Sequence, residues 1–292
     1  MRILVTGASG AIGKKLIYKL KRLPKYKITV LSRLSESDDS HSVNHLVGDL
    51  TNLDDLYQAT LNIDIVLHLA GITHTNEQNL YYSINFDGTK NLVKACQKNK
   101  IKKFIFLSSR TASYEGGAYA KSKLLAEKEV EKSGLDWVIL KPAEVYGAAE
   151  SDVVYRLIKL VRQSNYVPVI GHGRYLLSPV FIDDVVDAIL KTIQQDNAIG
   201  KKYILAGPEE FSYTEMIDRL SIFFNVKRVK VYVPLFLIKF LAFIFFIFKK
   251  DDFVRDQVPR LICKKSADIF LAQHDLGFNP RNFETGINSL LS

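Results

Sequence analysis

The sequence contains few residues that could form covalent or metal cross-links. Its two cysteines, Cys96 and Cys263, stand far apart among 292 residues. Two separated cysteines cannot build a disulfide framework or a zinc cluster, and His68 and His74 have no partners at ligand spacing. The opening MRILVTG enters a strand pattern without the basic stretch, apolar run and cleavage site of a signal peptide. These absences predict a cytoplasmic protein without a bound metal.

The chain also lacks a concentrated basic face. Its formal net charge is +9, but the lysines are scattered through helical patterns such as KKLIYKLKRL and KSKLLAEKEVEK. Nucleic-acid-binding proteins usually cluster basic residues on one face, often beside aromatic ones. We therefore expect a solvated basic surface and a small-molecule substrate, and no nucleic-acid partner.

Short runs rich in Val and Ile alternate with segments of helical period. RILVT, KITVLS, IDIVLHLA, KFIFLSS and DWVILKP are predicted strands, separated by segments such as AIGKKLIYKLKRL. Strands that are apolar on both faces and separated by helices form parallel sheets covered on both sides. The sequence thus predicts an α/β protein with a Rossmann-type, doubly wound parallel sheet. We assign residues 1–146 and 178–206 to this nucleotide-binding domain, and residues 147–177 and 207–292 to a smaller, mostly helical C-terminal substrate lobe.

A glycine-rich turn, TGASGAIG, follows the first strand and begins a helix. Gly7 permits a tight turn, Gly10 lets the backbone approach a pyrophosphate, and Gly13 lets the helix pack close to the sheet. The amides and partial positive charge of a helix N-terminus bind anions. We therefore expect a dinucleotide pyrophosphate to contact Gly7, Ser9, Gly10, Ala11, Ile12 and Gly13.

The end of the second strand distinguishes the two nicotinamide cofactors. NAD-binding folds usually have an Asp or Glu there, whereas this chain has Ser32 and Arg33. A hydroxyl and a guanidinium suit a 2′-phosphate, so the sequence favours NADP(H) over NAD(H). Asp49, followed by Leu50, is expected to accept a hydrogen bond from the adenine amino group. The alternatives are that Arg33 is a solvated strand-end residue and that Asp49 is a turn residue.

The segment YAKSK places Tyr119 and Lys123 four residues apart on a predicted helix, and therefore on one face. A positive charge about 4 Å from a phenol is worth roughly 4 kcal/mol at an effective dielectric of about 20. This is enough for Tyr119 to exchange a proton near neutral pH. Ser108 and Ser109 follow the strand KFIFL at the carboxyl end, where open α/β sheets bind ligands. One hydroxyl could orient the substrate oxygen, although serines here also serve turns.

Together these motifs resemble the short-chain dehydrogenase/reductase superfamily, in its extended or atypical branch, which includes the NAD-dependent epimerases and dehydratases. TGASGAIG, GDL, HLAG, NFDGT, FLSS, YAKSK and LKPAEVYG carry the resemblance over about residues 1–206. It implies that Tyr119 donates or accepts the proton, that Ser109 polarises the carbonyl, and that Lys123 also binds the nicotinamide ribose. It gives Asn85 a structural role and adds cofactor contacts from Leu69, Ala70, Gly71, Ser108, Pro142 and Val145.

Two departures affect the substrate side. Only nine residues separate Ser109 from Tyr119, fewer than in typical sugar-nucleotide epimerases of this branch. Leu177 stands where the branch typically has an Arg that binds the substrate diphosphate, and we expect Arg174 to replace it. Thr73 and Arg110 are further predicted substrate contacts. Both departures resemble atypical members that include homologues of a respiratory complex I accessory subunit, in which NADPH can be held without turnover.

An apolar run over residues 233–248 contains one charge, Lys239, and ends at Lys249 and Lys250. It is shorter than the roughly 20 residues that span a bilayer. Three interpretations remain: a buried helix or homodimer interface, a peripheral membrane anchor over residues 235–250, or the wall of an apolar substrate site.

The sequence therefore leaves three functional hypotheses. The first is an NAD(P)-dependent oxidoreductase or epimerase acting on a hydroxyl or ketone of a nucleotide-linked sugar. The second is an NADPH-dependent reductase of an apolar ketone. The third is a non-catalytic NADPH-binding assembly or regulatory protein at a membrane.

Overall fold

The computed structural model describes residues 1–34, 43–147, 153–237 and 257–291. Most of the apolar run, from residue 238 onward, lies outside these ranges, so the three interpretations of that run remain predictions. Within the described ranges, no helix is both long enough and apolar enough to cross a membrane.

A seven-stranded sheet forms the central layer, and every strand pair in it is parallel. In chain order the strands of the structure are β1 Arg2–Thr6, β2 Lys27–Ser32, β3 Val43–Val47, β4 Ile65–His68, β5 Lys103–Leu107, β6 Asp136–Pro142, β7 Val145–Tyr146, β8 Tyr166–Ile170, β9 Leu176–Leu177, β10 Val180–Phe181, β11 Lys201–Leu205, β12 Phe211–Ser212 and β13 Val229–Val233. The sheet has the order β11-β6-β5-β4-β1-β2-β3. This order confirms the predicted Rossmann-type fold, since it runs outward from β1 in both directions.

The helices of the structure are α1 Ala11–Leu20, α2 Leu53–Ala59, α3 Gln78–Leu80, α4 Gly88–Lys98, α5 Gly117–Glu131, α6 Val153–Gln163, α7 Ile182–Gln194, α8 Tyr213–Phe223, α9 Gln257–Ile262, α10 Phe270–Leu276 and α11 Phe283–Leu291, with a π-helical segment at Tyr81–Asp87 and a 3₁₀ turn at Asp196–Ala198. Of these, α1 and α7 cover one face of the sheet, and α2, α4 and α5 cover the other. Side chains alternate along each strand, so Ile3 and Val5 join the core under α1 and α7, whereas Leu4 joins the core under α2, α4 and α5.

Three small strand pairs lie outside the main sheet. β7 pairs with β10, β8 with β13, and β9 with β12. Together with α6 and α8, they belong to the part of the chain that follows the carboxyl end of β6. Farther along, α10 contacts β11 and α7, where Asp275 accepts hydrogen bonds from Lys201 and Tyr203. The C-terminal segment therefore packs partly on the nucleotide-binding domain, and the division into two domains remains a prediction.

Candidate active site

The glycine-rich turn connects β1 to α1 in a conformation that side chains would block. Gly7 has a φ of +77°, and a Cβ there would lie 2.5 Å from the Ala70 amide nitrogen. A Cβ on Gly13 would overlap the Gly7 carbonyl oxygen. Gly10 is the N-cap of α1, and no side chain caps this helix. The backbone at this helix N-terminus is therefore shaped to accept an anion such as a pyrophosphate.

A cavity extends from this turn across the carboxyl ends of β1, β2, β3 and β4. Arg33 is exposed at its rim, whereas the Ser32 hydroxyl donates to the Leu34 carbonyl at 2.6 Å. Asp49 accepts from the Thr51 amide and hydroxyl, and these bonds lower the pKa of its carboxyl. Asp49 thus makes a turn contact as well as lining the cavity. The lining comprises Thr6, Gly7, Ser9, Gly10, Leu31, Ser32, Arg33, Gly48, Asp49, Leu50, Leu69, Ala70, Gly71, Ile72 and Ile84.

A second cavity, called the cofactor cavity below, continues from the first and shares Gly7, Gly10, Leu69 and Gly71 with it. It passes the N-terminus of α1 and ends at Tyr119 and Lys123 on α5. Among the predicted cofactor and catalytic residues, its lining includes Gly7, Gly10, Ala11, Ile12, Gly13, Leu69, Gly71, Ser108, Ser109, Tyr119, Lys123, Pro142 and Val145. The glycine turn and the Tyr-Lys pair therefore line one continuous crevice, which runs along the carboxyl ends of the strands to α5.

Lys123 is buried beneath this crevice. Its ammonium donates to the Leu107 carbonyl at 2.8 Å and lies 4.5 Å from the centre of the Phe106 ring. Burial lowers the pKa of the ammonium to about 8, although the nearby Glu127 carboxylate raises it. Lys123 therefore carries its proton at neutral pH but is close to losing it, which suits a group that tunes a neighbouring phenol.

Tyr119 is 8% exposed and lines both this crevice and a third cavity beside it. Its ring packs edge-on against Tyr81, with 5.8 Å between ring centres. The guanidinium carbon of Arg260, on α9, lies 4.5 Å from the Tyr119 ring centre. Packing on two sides thus fixes the orientation of the phenol.

The structure distinguishes the two serines that follow β5. The Ser108 hydroxyl donates to Oε1 of the fully buried Glu127 at 2.5 Å, so it is turned toward the core. The Ser109 hydroxyl lies 2.9 Å from that of Thr111, and Ser109 lines both the second cavity and the third cavity described below. Ser109 is therefore the serine that faces the cavities beside Tyr119.

Asn85, in the π-helical segment, holds the loop after β4 against α5. Its side chain accepts from the Ile72 amide at 2.8 Å and donates to the Ile72 carbonyl at 3.0 Å and to the Ser122 hydroxyl at 3.2 Å. A Cβ on Gly71 would lie 3.6 Å from Nζ of Lys123. The loop therefore approaches the lysine closely, and π-helical segments often occur at such functional sites.

A third cavity, called the substrate cavity below after its proposed role, adjoins Tyr119 on the side away from the glycine turn. Leu177 forms part of its wall. Glu144 and Arg110 make a 2.6 Å ion pair, and Lys265 lies 3.3 Å from the same carboxylate. Burial alone raises the pKa of Glu144, but the two cations bring it below its usual value. The lining comprises His74, Ser109, Arg110, Thr111, Tyr119, Pro142, Ala143, Glu144, Val153, Ile170, Tyr175, Leu177, Tyr213, Val258, Arg260, Leu261 and Lys265.

The predicted substrate residues fall in three different places. Thr73 lines the cofactor cavity and Arg110 the substrate cavity. Arg174, in contrast, is exposed and absent from the lining of all three cavities, because it follows a tight turn in which its amide donates to the His172 ring. The prediction that Arg174 replaces the missing arginine therefore finds no support in this geometry.

Several lining residues had no recognisable sequence signal. Glu144 lies within the motif LKPAEVYG, but nothing local marks it as a partner of Arg110. Arg260 and Lys265 come from a segment without any motif. His68 is instead a core residue, since it bonds to Thr6 and Thr89 and burial lowers its pKa to about 3. The described residues contain no group of three His, Cys, Asp or Glu side chains placed to hold a metal ion.

The fold and this crevice define a dinucleotide-binding oxidoreductase of the Rossmann class. A model of the NAD dependent epimerase/dehydratase family matches residues 3–206, which is most of the chain, and the protein therefore belongs to that family. This confirms the resemblance found in the motifs. The chain is an enzyme of the NAD-dependent epimerase/dehydratase type, and the glycine turn, where a Cβ on Gly7 or Gly13 would clash, fits the cofactor of that family.

Relatives and solved structures include enzymes that act on different substrates. Sterol-4-alpha-carboxylate 3-dehydrogenase, decarboxylating, of Mus musculus is 26% identical over 267 residues, covering 82% of this chain and 73% of that protein. UDP-glucose 4-epimerase of Vibrio cholerae is 26% identical over 304 residues, covering 95% and 90%. The structure of UDP-glucuronic acid 4-epimerase from Bacillus cereus, in complex with UDP-glucuronic acid and NAD, has a TM-score of 0.77 at 22% identity, covering 99% of this chain and 97% of that chain.

Proposed function

We propose that this enzyme is an NAD(P)-dependent oxidoreductase or epimerase acting on a hydroxyl or ketone of a nucleotide-linked sugar. One observation carries the proposal: Ser109, Tyr119 and Lys123 meet where the cofactor crevice joins a separate substrate cavity. The UDP-glucose 4-epimerase among the relatives supports the sugar-nucleotide class.

Each of the three side chains has a separate task. The bound nicotinamide supplies the chemistry of hydride transfer to or from the substrate carbon. The Tyr119 hydroxyl gives a proton to the substrate oxygen or takes one from it. Lys123 favours the phenolate by its positive charge and binds the ribose. The Ser109 hydroxyl donates to the substrate oxygen and orients it toward Tyr119.

Replacing Tyr119 with phenylalanine tests this assignment. We expect turnover to fall by about 10²-fold or more, since general acid-base groups contribute on that scale, with cofactor affinity nearly unchanged. The assay uses a panel of UDP-sugars, dTDP-sugars and lipophilic ketones and alcohols. NAD(P)H absorbance follows net oxidation or reduction, and chromatography of the sugar products follows epimerisation, which regenerates the cofactor. Tyr114→Phe is the matched control, because Tyr114 is 59% exposed and lines none of the three cavities. Full activity in Tyr119→Phe would refute the role of the phenol.

The lining of the substrate cavity favours a second candidate, oxidation or reduction of an apolar alcohol or ketone. Leu177 and Val258 are buried in its wall, with Ile170 and Leu261 beside them. The relative that acts on a sterol carboxylate supports this class. The same panel separates the candidates, because turnover of a lipophilic member with no turnover of any nucleotide sugar selects the second.

We further propose that the enzyme prefers NADP(H). The support is that Ser32 and Arg33 line the adenosine end of the crevice at the end of β2, without a carboxylate on that strand. Arg33→Ala should weaken NADPH binding by about tenfold, the size of one lost charge-assisted hydrogen bond, and leave NADH binding unchanged. Fluorescence titration measures both affinities. Tighter binding of NADH by the unaltered protein would contradict the proposal.

Peripheral membrane contact through residues 235–250 is a separate proposal. It is supported by the 75% exposure of Phe236, at the described end of the apolar run, and by Lys249 and Lys250 in the sequence beyond. The protein should then sediment with anionic vesicles, and a Phe245→Asp, Phe246→Asp double variant should not. Sedimentation that is unchanged in the double variant would refute the anchor. A homodimer that dissociates in that variant would favour the subunit-interface interpretation.

A further inference from the structure

A buried carboxylate lies directly behind the proposed active site. Glu127 follows Lys123 by four residues on α5, so the two residues lie on the same face of the helix, about 6 Å apart along its axis. The side chain of Glu127 is 0% exposed, and it does not belong to the described linings of the three cavities. Glu127 is therefore positioned to act on the site through a neighbouring residue, without touching a ligand itself.

Groups from three different strands hold this carboxylate in place. The Ser108 hydroxyl, after β5, donates to Oε1 of Glu127 at 2.5 Å. Nζ of Lys141, on β6, lies 2.9 Å from Oε1 and 3.0 Å from Oε2, and Nζ of Lys202, on β11, lies 3.5 Å from Oε2. Charge-assisted bonds of this kind fix both the position and the orientation of a negative charge.

Stability gives little reason to bury a carboxylate at this position. Removing a charge from water is costly, and well-packed hydrophobic residues often replace a buried ion pair with no loss of stability. Glu127 does, however, affect the proposed active site. Burial lowers the pKa of the Lys123 ammonium, and the negative charge of Glu127 raises it again in part. The carboxylate therefore helps Lys123 to keep its proton.

The other groups around Lys123 come from several elements. The Leu107 carbonyl, at the end of β5, accepts a hydrogen bond from the ammonium. His68, on β4, is buried and has a pKa of about 3, which the positive charge of Lys123 helps to lower, so its ring is neutral at pH 7. Tyr119 precedes Lys123 on α5, and Arg260, on α9, lies against the Tyr119 ring. None of these groups is a carboxylate, whereas Glu127 acts on Lys123 as a counter-charge.

We propose that Glu127 is a positioning residue of the active site, which acts through Lys123 by keeping its ammonium charged while Tyr119 exchanges a proton. The inference rests on the proposed function, since that function gives Lys123 the task of favouring the phenolate. An uncharged Lys123 would no longer stabilise the phenolate of Tyr119. Turnover should therefore fall at alkaline pH, where Lys123 loses its proton, and Glu127 should help to set the pH at which this happens.

Titration of Lys123 with and without the Glu127 carboxylate tests the inference. In cofactor-free protein that carries an NMR-active isotope at lysine Cε, the Lys123 signal is the one that disappears in Lys123→Met. We expect a wild-type midpoint of about 8. Glu127→Gln should lower this midpoint by about one pH unit, the scale on which a nearby opposite charge acts. At saturating cofactor, the alkaline limb of kcat/KM for the most active member of the substrate panel should move down by a similar amount.

Lys141→Met is a second variant, and it should act in the opposite direction. It removes the cation that neutralises Glu127, so the midpoint of Lys123 should rise. A general disturbance of the packing would not move the midpoint in opposite directions in the two variants. Glu131→Gln is the matched control, because Glu131 lies one turn farther from Lys123 on α5 and also pairs with Lys202, at 2.6 Å. It should keep the wild-type midpoint and the wild-type pH profile.

Equal midpoints in wild type and Glu127→Gln, or a midpoint that falls in Lys141→Met as well, would overturn the inference and leave the proposed function standing. The inference is also wrong if the midpoint moves while the alkaline limb of kcat/KM stays in place. Should Glu127→Gln fail to fold, the rise expected in Lys141→Met decides the question. The proposed function fails separately, and the inference with it, if Tyr119→Phe retains full activity.

Discussion

Replacing Lys123 with methionine should change how the stability of the cofactor-free protein depends on pH, as well as abolishing turnover. Burial lowers the pKa of the Lys123 ammonium from its ordinary value of 10.5 to about 8. Each unit of pKa corresponds to 1.36 kcal/mol, so keeping this group charged costs the folded state about 3 kcal/mol at pH 7. The fold tolerates this cost at the site where we propose that a cation assists proton transfer.

The sign follows from proton binding. Between about pH 8 and pH 10.5, the unfolded chain still holds the Lys123 proton while the folded protein has released it. The unfolded state then binds more protons, and the free energy of unfolding rises with pH. The contribution from Lys123 should therefore increase by about 2 to 3 kcal/mol between pH 7 and pH 10, where most of the penalty has been removed.

Urea unfolding at several pH values measures this effect. Other groups also titrate in this range, so the informative quantity is the free energy of unfolding of wild type minus that of Lys123→Met. We expect that difference to rise in favour of wild type as pH increases. The hydrogen bond to Leu107, which the variant lacks, adds a constant contribution of about 1 kcal/mol to the difference. Lys121→Met, which removes an exposed lysine from the same helix, should follow the wild-type curve. A difference that stays flat or falls with pH would show that Lys123 is not desolvated as described.

Two further predictions concern the glycine turn and the thiols. Gly13→Ala should reduce cofactor affinity at least about tenfold, because its Cβ would displace the turn. Gly134→Ala is the control: at a φ of +70°, with nothing within 4 Å of the added Cβ, it should leave cofactor affinity unchanged and cost about 1 kcal/mol of stability. If titration gives the Gly13→Ala and Gly134→Ala variants the same cofactor affinity, the prediction is wrong. Burial raises the pKa of the Cys96 thiol, so iodoacetamide at pH 8 should label it only after unfolding. Mass spectrometry reads out the labelling, and rapid modification of Cys96 in the native protein would oppose its described burial.

The relative position of the proposed catalytic pair depends on local sequence. The four-residue interval between Tyr119 and Lys123 is sufficient to place them on one face of α5, since helical geometry fixes the angle between them. The interval between Gly7 and Gly13 likewise follows from the turn that joins a strand to a helix. The alternation of strand and helix patterns was also enough to predict the parallel sheet, because a strand that is apolar on both faces is expected to be buried on both faces.

Other parts of the site depend on contacts between distant segments. Ser108 and Ser109 are adjacent and chemically identical, and only the position of Glu127 shows which hydroxyl is turned into the core. Arg174 was a reasonable substrate residue by motif position, but the turn that precedes it leaves it exposed. For the serines, the residues alone left the choice open and only the resemblance favoured Ser109, because the deciding neighbour, Glu127, lies on α5.

The sequence by itself therefore determined the nucleotide-binding fold, the glycine turn and the Tyr-Lys pair, because short-range geometry governs all three. Only the tertiary structure brought Arg260 onto the ring of Tyr119 and Lys265 onto Glu144, across more than 100 residues of chain in each case. The charge of the substrate cavity is the sum of groups contributed by separate segments. It could be known only once packing had placed those segments together.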